Sequence, residues 1–300
     1  MQTENATHPT ETALFFGGLP TEYLEEWEIT SDTDLIERKL GVRCETVPAQ
    51  EVMDRFETLP GQPSSLAGEL SRQLRGEAAG TLPEGMSEED VERAVRFYLA
   101  IREITEERSA DAVTTVCRRF KETGAPVPCV ALNLLQEDGM PAACQGDVDA
   151  LLTMILFRRA GAPSSFMGNP GEREGRLAVS HCVLSRRMLG PDGTVRSYSL
   201  VPYHGDSTNP TILTDLPEDQ PVTVARLTRN LEGLILASGT LAGHLDEPGV
   251  CTNGLLIDVP NLEEILDTVL GGQYHLVVAC GDYTEELTAE ANQIGATILP

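Results

Sequence analysis

Apolar positions along the chain change their period near its middle. Before about residue 160, short apolar runs alternate with stretches of helical spacing. Ala13-Leu-Phe-Phe16 reads as a strand closed by the Gly17-Gly18-Leu19-Pro20 turn. Residues 32–40 read as a helix with Gly41 as its C-cap, 42–47 as a second strand and 49–56 as another helix. Residues 59–65, rich in Pro, Gly and Ser, read as a loop. Ser87-Glu-Glu-Asp90 has the form of a capping box with Asp in place of Glu. Val91, Ala94, Val95, Tyr98, Leu99 and Ile104 then share one face of a long helix, the pattern of core packing. Residues 112–117 read as a strand, 130–135 as a short helix before Gly139, and 140–144 as the next strand.

The stretch from Pro141 to Pro170 organises the rest: strand, turn, helix, turn, strand. Asp147 stands at an N-cap position, and Val148, Leu151, Leu152, Ile155 and Leu156 repeat at helical spacing until Gly161 and Pro163 stop the helix. Gln145 and Asn169 then fall at the exits of two strands, where α/β folds commonly hold ligand groups.

Beyond this stretch, residues 177–182, 197–201, 222–227, 233–241, 254–259 and 274–279 are short β-type runs separated by Pro, Gly and Asp. Helical patterns at 262–270 and 285–294 interrupt and close them. The expected fold class is α/β: a parallel-sheet domain over 1–162, then a mainly β, barrel-like domain over 163–300. No internal repeat or low-complexity segment is visible.

Composition narrows the function. A formal net charge of −25 disfavours nucleic acid and anionic membranes as partners, because their phosphates are repelled. The only lysines are Lys39 and Lys121, which points to genomic base composition or to a saline or hot habitat. No apolar run reaches the roughly 18 residues a membrane helix needs, and the polar N-terminus, frayed over 1–11, lacks the form of a signal peptide. The seven cysteines (44, 117, 129, 144, 182, 251 and 280) are odd in number, widely spaced and free of Cys-x-x-Cys. They read as reduced thiols of a cytoplasmic protein, mostly small buried hydrophobes, and not as a disulfide framework or a zinc site.

Several polar residues each admit a chemical and a plain reading. His275, which follows Gly271-Gly272 and Tyr274, is a site residue or a half-buried strand histidine; His181 and His204 carry the same alternatives. His244 in a polar turn and His8 in the tail read as plain. Asp147 reads as a cap rather than a base, and Asp206 in its Gly-Asp-Ser turn as serving the backbone. Arg226 binds a sugar hydroxyl or an anion, or stands on a strand surface. Cys144, beside Gln145, has no histidine near it in sequence to make it a nucleophile.

Taken together, Cys129 to Leu135, Gly139-Met-Pro-Ala-Ala-Cys144 with Gly146-Asp147, Phe166-Met-Gly168, His181-Cys182, Tyr203-His204-Gly205-Asp206-Ser207, Val222-Thr-Val-Ala-Arg226-Leu227, Cys251-Thr252, Gly271-Gly-Gln-Tyr-His275 and Gly281-Asp282 form an ordered set. In order and spacing this set resembles L-fucose isomerase and related proteins, which share their architecture with L-arabinose isomerase. The resemblance runs from about Leu14 to Leu299 and starts close to that family's second domain. It implies an aldose–ketose isomerase, an intramolecular oxidoreductase of carbohydrate metabolism working through an ene-diol, with a sugar as small-molecule partner and a homo-oligomer as assembly. It also implies a manganese ion held by Glu, Asp and His, at the positions of Gln145, Asn169 and His275, with His181, His204 and Arg226 as substrate-binding candidates. Both carboxylates are amides here, so the expected cofactor is weakly held manganese or none. The alternatives are a non-catalytic sugar-binding or regulatory relative, and a subunit that takes its first domain from another chain.

Overall fold

The computed structural model describes residues 10–19, 30–189, 196–245, 251–270 and 275–300. His8, Pro20 and the Gly271-Gly272-Gln273-Tyr274 motif lie outside the described residues.

Strand and helix alternate through the first half. The elements are β1 (Glu11–Phe16), α1 (Thr33–Leu40), β2 (Val42–Val47), α2 (Ala49–Thr58), α3 (Leu66–Glu77), α4 (Glu88–Glu107), β3 (Ala112–Thr115), α5 (Cys117–Glu122), α6 (Cys129–Glu137), β4 (Ala142–Ala143) and α7 (Val148–Arg159). Each strand is followed by helix before the next, so neighbours pair in parallel, in the order β2-β1-β3-β4. The chain steps outward from β1 to β2 and returns on the other side as β3. The winding direction therefore reverses between β1 and β3, where open α/β sheets form a crevice at the strands' carboxyl ends. The caps follow their side chains. Asp32 Oδ1 accepts from Leu35 N at 2.9 Å, and Gly41 ends α1 at φ 68°. Ser87 Oγ accepts from Asp90 N at 3.2 Å while Asp90 Oδ2 accepts from Ser87 N at 2.8 Å, so Asp completes the capping box of α4.

The second half is the expected barrel. Its elements are β5 (Phe166–Arg173), β6 (Arg176–His181), β7 (Tyr198–Tyr203), β8 (Asp206–Thr214), β9 (Pro221–Leu227), β10 (Gly233–His244), β11 (Asn253–Asp258), α8 (Leu262–Leu270), β12 (Leu276–Cys280), α9 (Thr284–Ile294) and β13 (Thr297–Leu299). Six strands pair antiparallel in the order β11-β6-β5-β12-β9-β10, and β10 pairs with β11 to close the ring. β13 adds to β10 in parallel. Alternate residues of β12 serve different cores. Leu276 and Val278 join Phe166, Val179, Val224 and Ile257 in the barrel's own cluster, while Val277 and Ala279 join the cluster around α7.

That second cluster reaches from Ala13 to Ala296 and crosses the expected boundary at 162, which falls between α7 and β5. Helix α7 lies between the parallel sheet and the barrel, so Val148–Phe157 is buried on every side and not on one stripe alone. Its last-turn residues Arg158 and Arg159 bind the Glu11 carboxylate at the start of β1. The β7–β8 hairpin leaves the barrel and packs on α4 and α6 through Tyr198, Leu200 and Ile212.

Some expectations need correction. Asn169 is not at a strand exit: β5 continues through it to Arg173. Pro170 is tolerated there because β5 pairs with β12 only through Gly168, so the missing N–H leaves no second neighbour unsatisfied. His244 ends β10 instead of sitting in a turn, with Nε2 2.6 Å from the Leu216 carbonyl oxygen. The strand expected over 140–144 shrinks to Ala142–Ala143, and α3, α5, β8 and β13 are additional.

Candidate functional site

The turn from β4 into α7 carries the site's electrostatic centre. Asp147 caps α7, its Oδ1 accepting from Ala150 N at 2.9 Å. Its Oδ2 accepts from Arg226 Nη1 and from His275 Nδ1, each at 2.7 Å. All three side chains are fully buried, so the surface-strand alternative for Arg226 is overturned. Burial alone would raise the Asp147 pKa, but the Arg226 guanidinium and the His275 hydrogen bond overcome it and hold this carboxyl far below its ordinary range. Asp149, in the first turn of α7, accepts from Thr30 N at 2.9 Å and lies 3.9 Å from Arg226 Nη2. Burial dominates there, with Asp147 adding repulsion, and lifts its pKa to about 7 despite Arg226. One buried guanidinium thus faces two carboxyls, one ionised and one poised to take a proton.

His275 donates through Nδ1, which places the lone pair of a neutral ring on Nε2. Burial lowers its pKa against the pull of Asp147. The ring of His181 meets it edge-on, centroids 5.2 Å apart. Burial, with His275 close by, pushes His181 down to about 3, and neither of its ring nitrogens has a hydrogen-bond partner. Asp147 orients the His275 imidazole as an acid–base pair requires, but His275 has no exposed surface.

Gln145 and Asn169 flank this cluster. Gln145 stands two residues before Asp147 in the left-handed region, φ 58°, and is half-buried. Asn169 and His275 each lie one residue beyond the Leu276–Gly168 pair of β12 and β5, and the Asn169 amide donates to the Ser180 carbonyl at 3.2 Å. Manganese does not suit this donor set. The two amides bring no negative charge, whereas manganese favours anionic oxygen donors.

The cysteines hold the residues that sequence reasoning missed. Cys117 follows β3 and Cys144 follows β4, so the parallel sheet brings their thiols together at its carboxyl edge. A hydrogen bond from Cys144, aided by Thr115 and the Gln145 backbone, lowers the Cys117 pKa to about 7 against burial, and the same contact raises that of Cys144. Further along, Cys182, Cys251 and His204 converge. Cys182 Sγ is 3.4 Å from His204 Nε2, and the three ligand atoms all lie within 4.8 Å of one another. Cys129, at the start of α6, hydrogen-bonds Cys182 from the other side. The available signal was position: these cysteines stand just beyond strand ends or at a helix start, where ligand groups collect.

His204 is carried by the tip of the β7–β8 hairpin. His204 and Gly205 have φ of 47° and 82°, the double left-handed turn that joins twisted antiparallel strands. The imidazole is exposed and packs edge-on to Tyr203, centroids 4.4 Å apart. Asp206 serves the turn, as expected, accepting from Thr208 and Asn209. Of the six candidates, Gln145, Asn169, His275, His181 and Arg226 belong to the neighbourhood of Asp147, and His204 stands with the thiols next to it. Cys182 adjoins His181 in the chain and links the two groups.

No family model matches the chain. Sulfoquinovose isomerase from Clostridium sp. (strain MSTE9) is 22% identical over 272 residues, which covers 88% of this chain and 59% of that protein. The chain is thus similar to a sugar isomerase across both of its halves, and spans about three-fifths of that relative's length.

Proposed function

We propose that the chain is a carbohydrate isomerase of the aldose–ketose kind with an altered site, acting on a small sugar in the cleft near Gln145 and His204. The observation that supports this reading most is the likeness to sulfoquinovose isomerase. At 88% of the chain it cannot be confined to the α/β half or to the barrel. The resemblance to the L-fucose isomerase family leads to the same chemistry, and the assembled form in this reading is a homo-oligomer.

Isomerisation moves a proton from C2 to C1 through an ene-diol, so one group must take a proton and return it. The amides cannot do this near neutral pH. The Cys117 thiol, lowered to about 7, and the imidazole of His204 on the exposed hairpin tip are the groups this reading assigns to that role. The buried Asp147–Arg226–His275 cluster holds the β4–α7 turn, and with it Gln145, in place.

The test is proton NMR in heavy water with L-fucose, L-arabinose, sulfoquinovose and their ketoses. Ketose product carrying deuterium at C1, with deuterium at C2 of the recovered aldose, is the expected result. The two amides favour a second reading, a sugar-binding relative without catalysis. Saturable sugar binding with neither exchange nor turnover selects it, and absence of both binding and exchange across the panel rejects the carbohydrate reading. The third alternative, a subunit completed by another chain, called for a large apolar patch. Among the described residues, the exposed large apolar side chains Leu66, Leu213 and Ile298 sit on α3, β8 and β13, scattered as on ordinary surfaces.

A further inference from the structure

Three ligand atoms, two sulfurs and an imidazole nitrogen, converge from three separate segments. Cys182 directly follows β6, Cys251 lies two residues before β11, and His204 tops the β7–β8 hairpin. The first two are neighbours by register, since His181 pairs with Asn253 across β6 and β11. The imidazole is brought in by the tight turn at His204-Gly205. We propose that Cys182, Cys251 and His204 bind a thiophilic divalent cation of the zinc class, with a fourth position left open to water or a ligand oxygen.

The geometry carries this. Zinc bonds of about 2.3 Å to sulfur and about 2.0–2.1 Å to nitrogen place tetrahedral ligand atoms roughly 3.3–3.8 Å apart. The Cys182–His204 separation of 3.4 Å is already in that range, and the limit of 4.8 Å on the other pairs leaves only about an ångström to close. The frame behind the ligands is fixed. The Cys182 carbonyl accepts from Thr211 Oγ1 at 3.0 Å and Asn253 Nδ2 at 3.4 Å, and the Asn253 side chain also bonds Thr214 N and the Ile212 carbonyl. These bonds tie β6, β8 and β11 together beneath the site, as the outer contacts of metal ligands do. Exposure is graded as entry of an ion requires: Cys182 is buried, Cys251 half-buried and His204 exposed. Three protein ligands with an open position is the arrangement of reactive zinc rather than of structural zinc. Metal binding displaces the protons of the two thiols, so affinity should fall as pH is lowered. Soft sulfur and imidazole select zinc-class ions over manganese and magnesium. The site therefore differs in ligand type from the manganese position implied at Gln145, Asn169 and His275. Its occupancy does not depend on the sugar reading.

Cobalt serves as the spectroscopic probe. The reduced protein should be titrated with cobalt and then with zinc, with metal content measured after dialysis. The expected result is one equivalent of cobalt with a thiolate-to-cobalt charge-transfer band, displaced by zinc. Cys251→Ser and His204→Asn should each weaken binding at least tenfold, while Cys44→Ser on β2 leaves it unchanged. Asn tolerates the left-handed backbone at 204, so that variant keeps the hairpin intact and removes only the ligand. A cobalt spectrum without the thiolate band overturns the proposal, as does binding that both ligand variants retain or a Cys182–Cys251 disulfide in the freshly purified protein. Absence of isomerase activity in a protein that binds cobalt in this way counts against the isomerase reading and leaves the metal site standing.

Discussion

Asp147 and Asp149 are separated by one residue and titrate in opposite directions. Asp147 meets Arg226 directly and stays ionised, whereas Asp149, at 3.9 Å, gains too little to offset its burial. A carboxyl raised from 3.8 to about 7 keeps in the folded chain a proton that the unfolded chain releases. Its stabilising contribution is full below pH 3.8 and is lost as pH rises through 7. The slope is at most about 1.4 kcal/mol per pH unit for one proton. Asp149→Asn is therefore expected to flatten the stability profile over that window, measured by urea unfolding at several pH values. His181, lowered to about 3, has the opposite sign and loses its contribution as pH falls from 6.5, so the comparison must be made against the parent at each pH. The amides give a second expectation at this scale. Gln145→Glu with Asn169→Asp should raise manganese affinity by on the order of 1–3 kcal/mol per restored charge, read by calorimetry. Equal manganese affinity in the parent would show that the amides already serve as ligands.

Among the elements, α4 is the one whose start was fully readable. Ser87 and Asp90 announce a capping box, and both of its hydrogen bonds form on the exposed surface. Ser87→Ala should cost about 1 kcal/mol and lower the melting temperature without changing the fold, as circular dichroism would show. Other elements were legible for the same reason: local signals such as Asp32, Gly41, Asp147 and Gly161 act within one turn. What escaped is what distant partners decide. β8 carries Asn209-Pro210 and gives no local strand signal, yet β7 and the surfaces of α4 and α6 make it a strand. α3 follows a Pro/Gly-rich loop and begins only where Ser65 Oγ caps Gly68 N. The candidate site was half visible. Gln145, Asn169 and His275 were named from the family resemblance, but the thiols were dismissed on their spacing in sequence. Cys182 and Cys251 stand far apart in the chain and adjacent in the barrel only because β6 and β11 pair.

For the whole molecule, charge dominates. A net −25 on 300 residues makes the compact state repel itself. Raising salt from about 10 mM to about 0.5 M shortens the screening length severalfold, and the melting temperature should rise with it. A flat response would mean that local pairs such as Arg55 with Glu103 and Glu107 already neutralise most of the repulsion. The same scale governs the membrane question: among the described residues no helix is long and apolar enough to cross a bilayer.

The order of strands in the barrel also sets a timetable for synthesis. β12 stands between β5 and β9, although it is the last strand of the ring to be made. Until Leu276–Cys280 leaves the ribosome, β5 and β9 have no partner along the edges they will share with it. A nascent chain therefore carries an open edge on β5 once Arg173 is made, and a second on β9 from Leu227 until β12 arrives, the state in which strands recruit foreign partners. A chain stopped after Leu270 should accumulate in the insoluble fraction, while the full chain is soluble. Adding a peptide of residues 275–300 during refolding should rescue part of it, because that segment supplies the missing strand between the two edges.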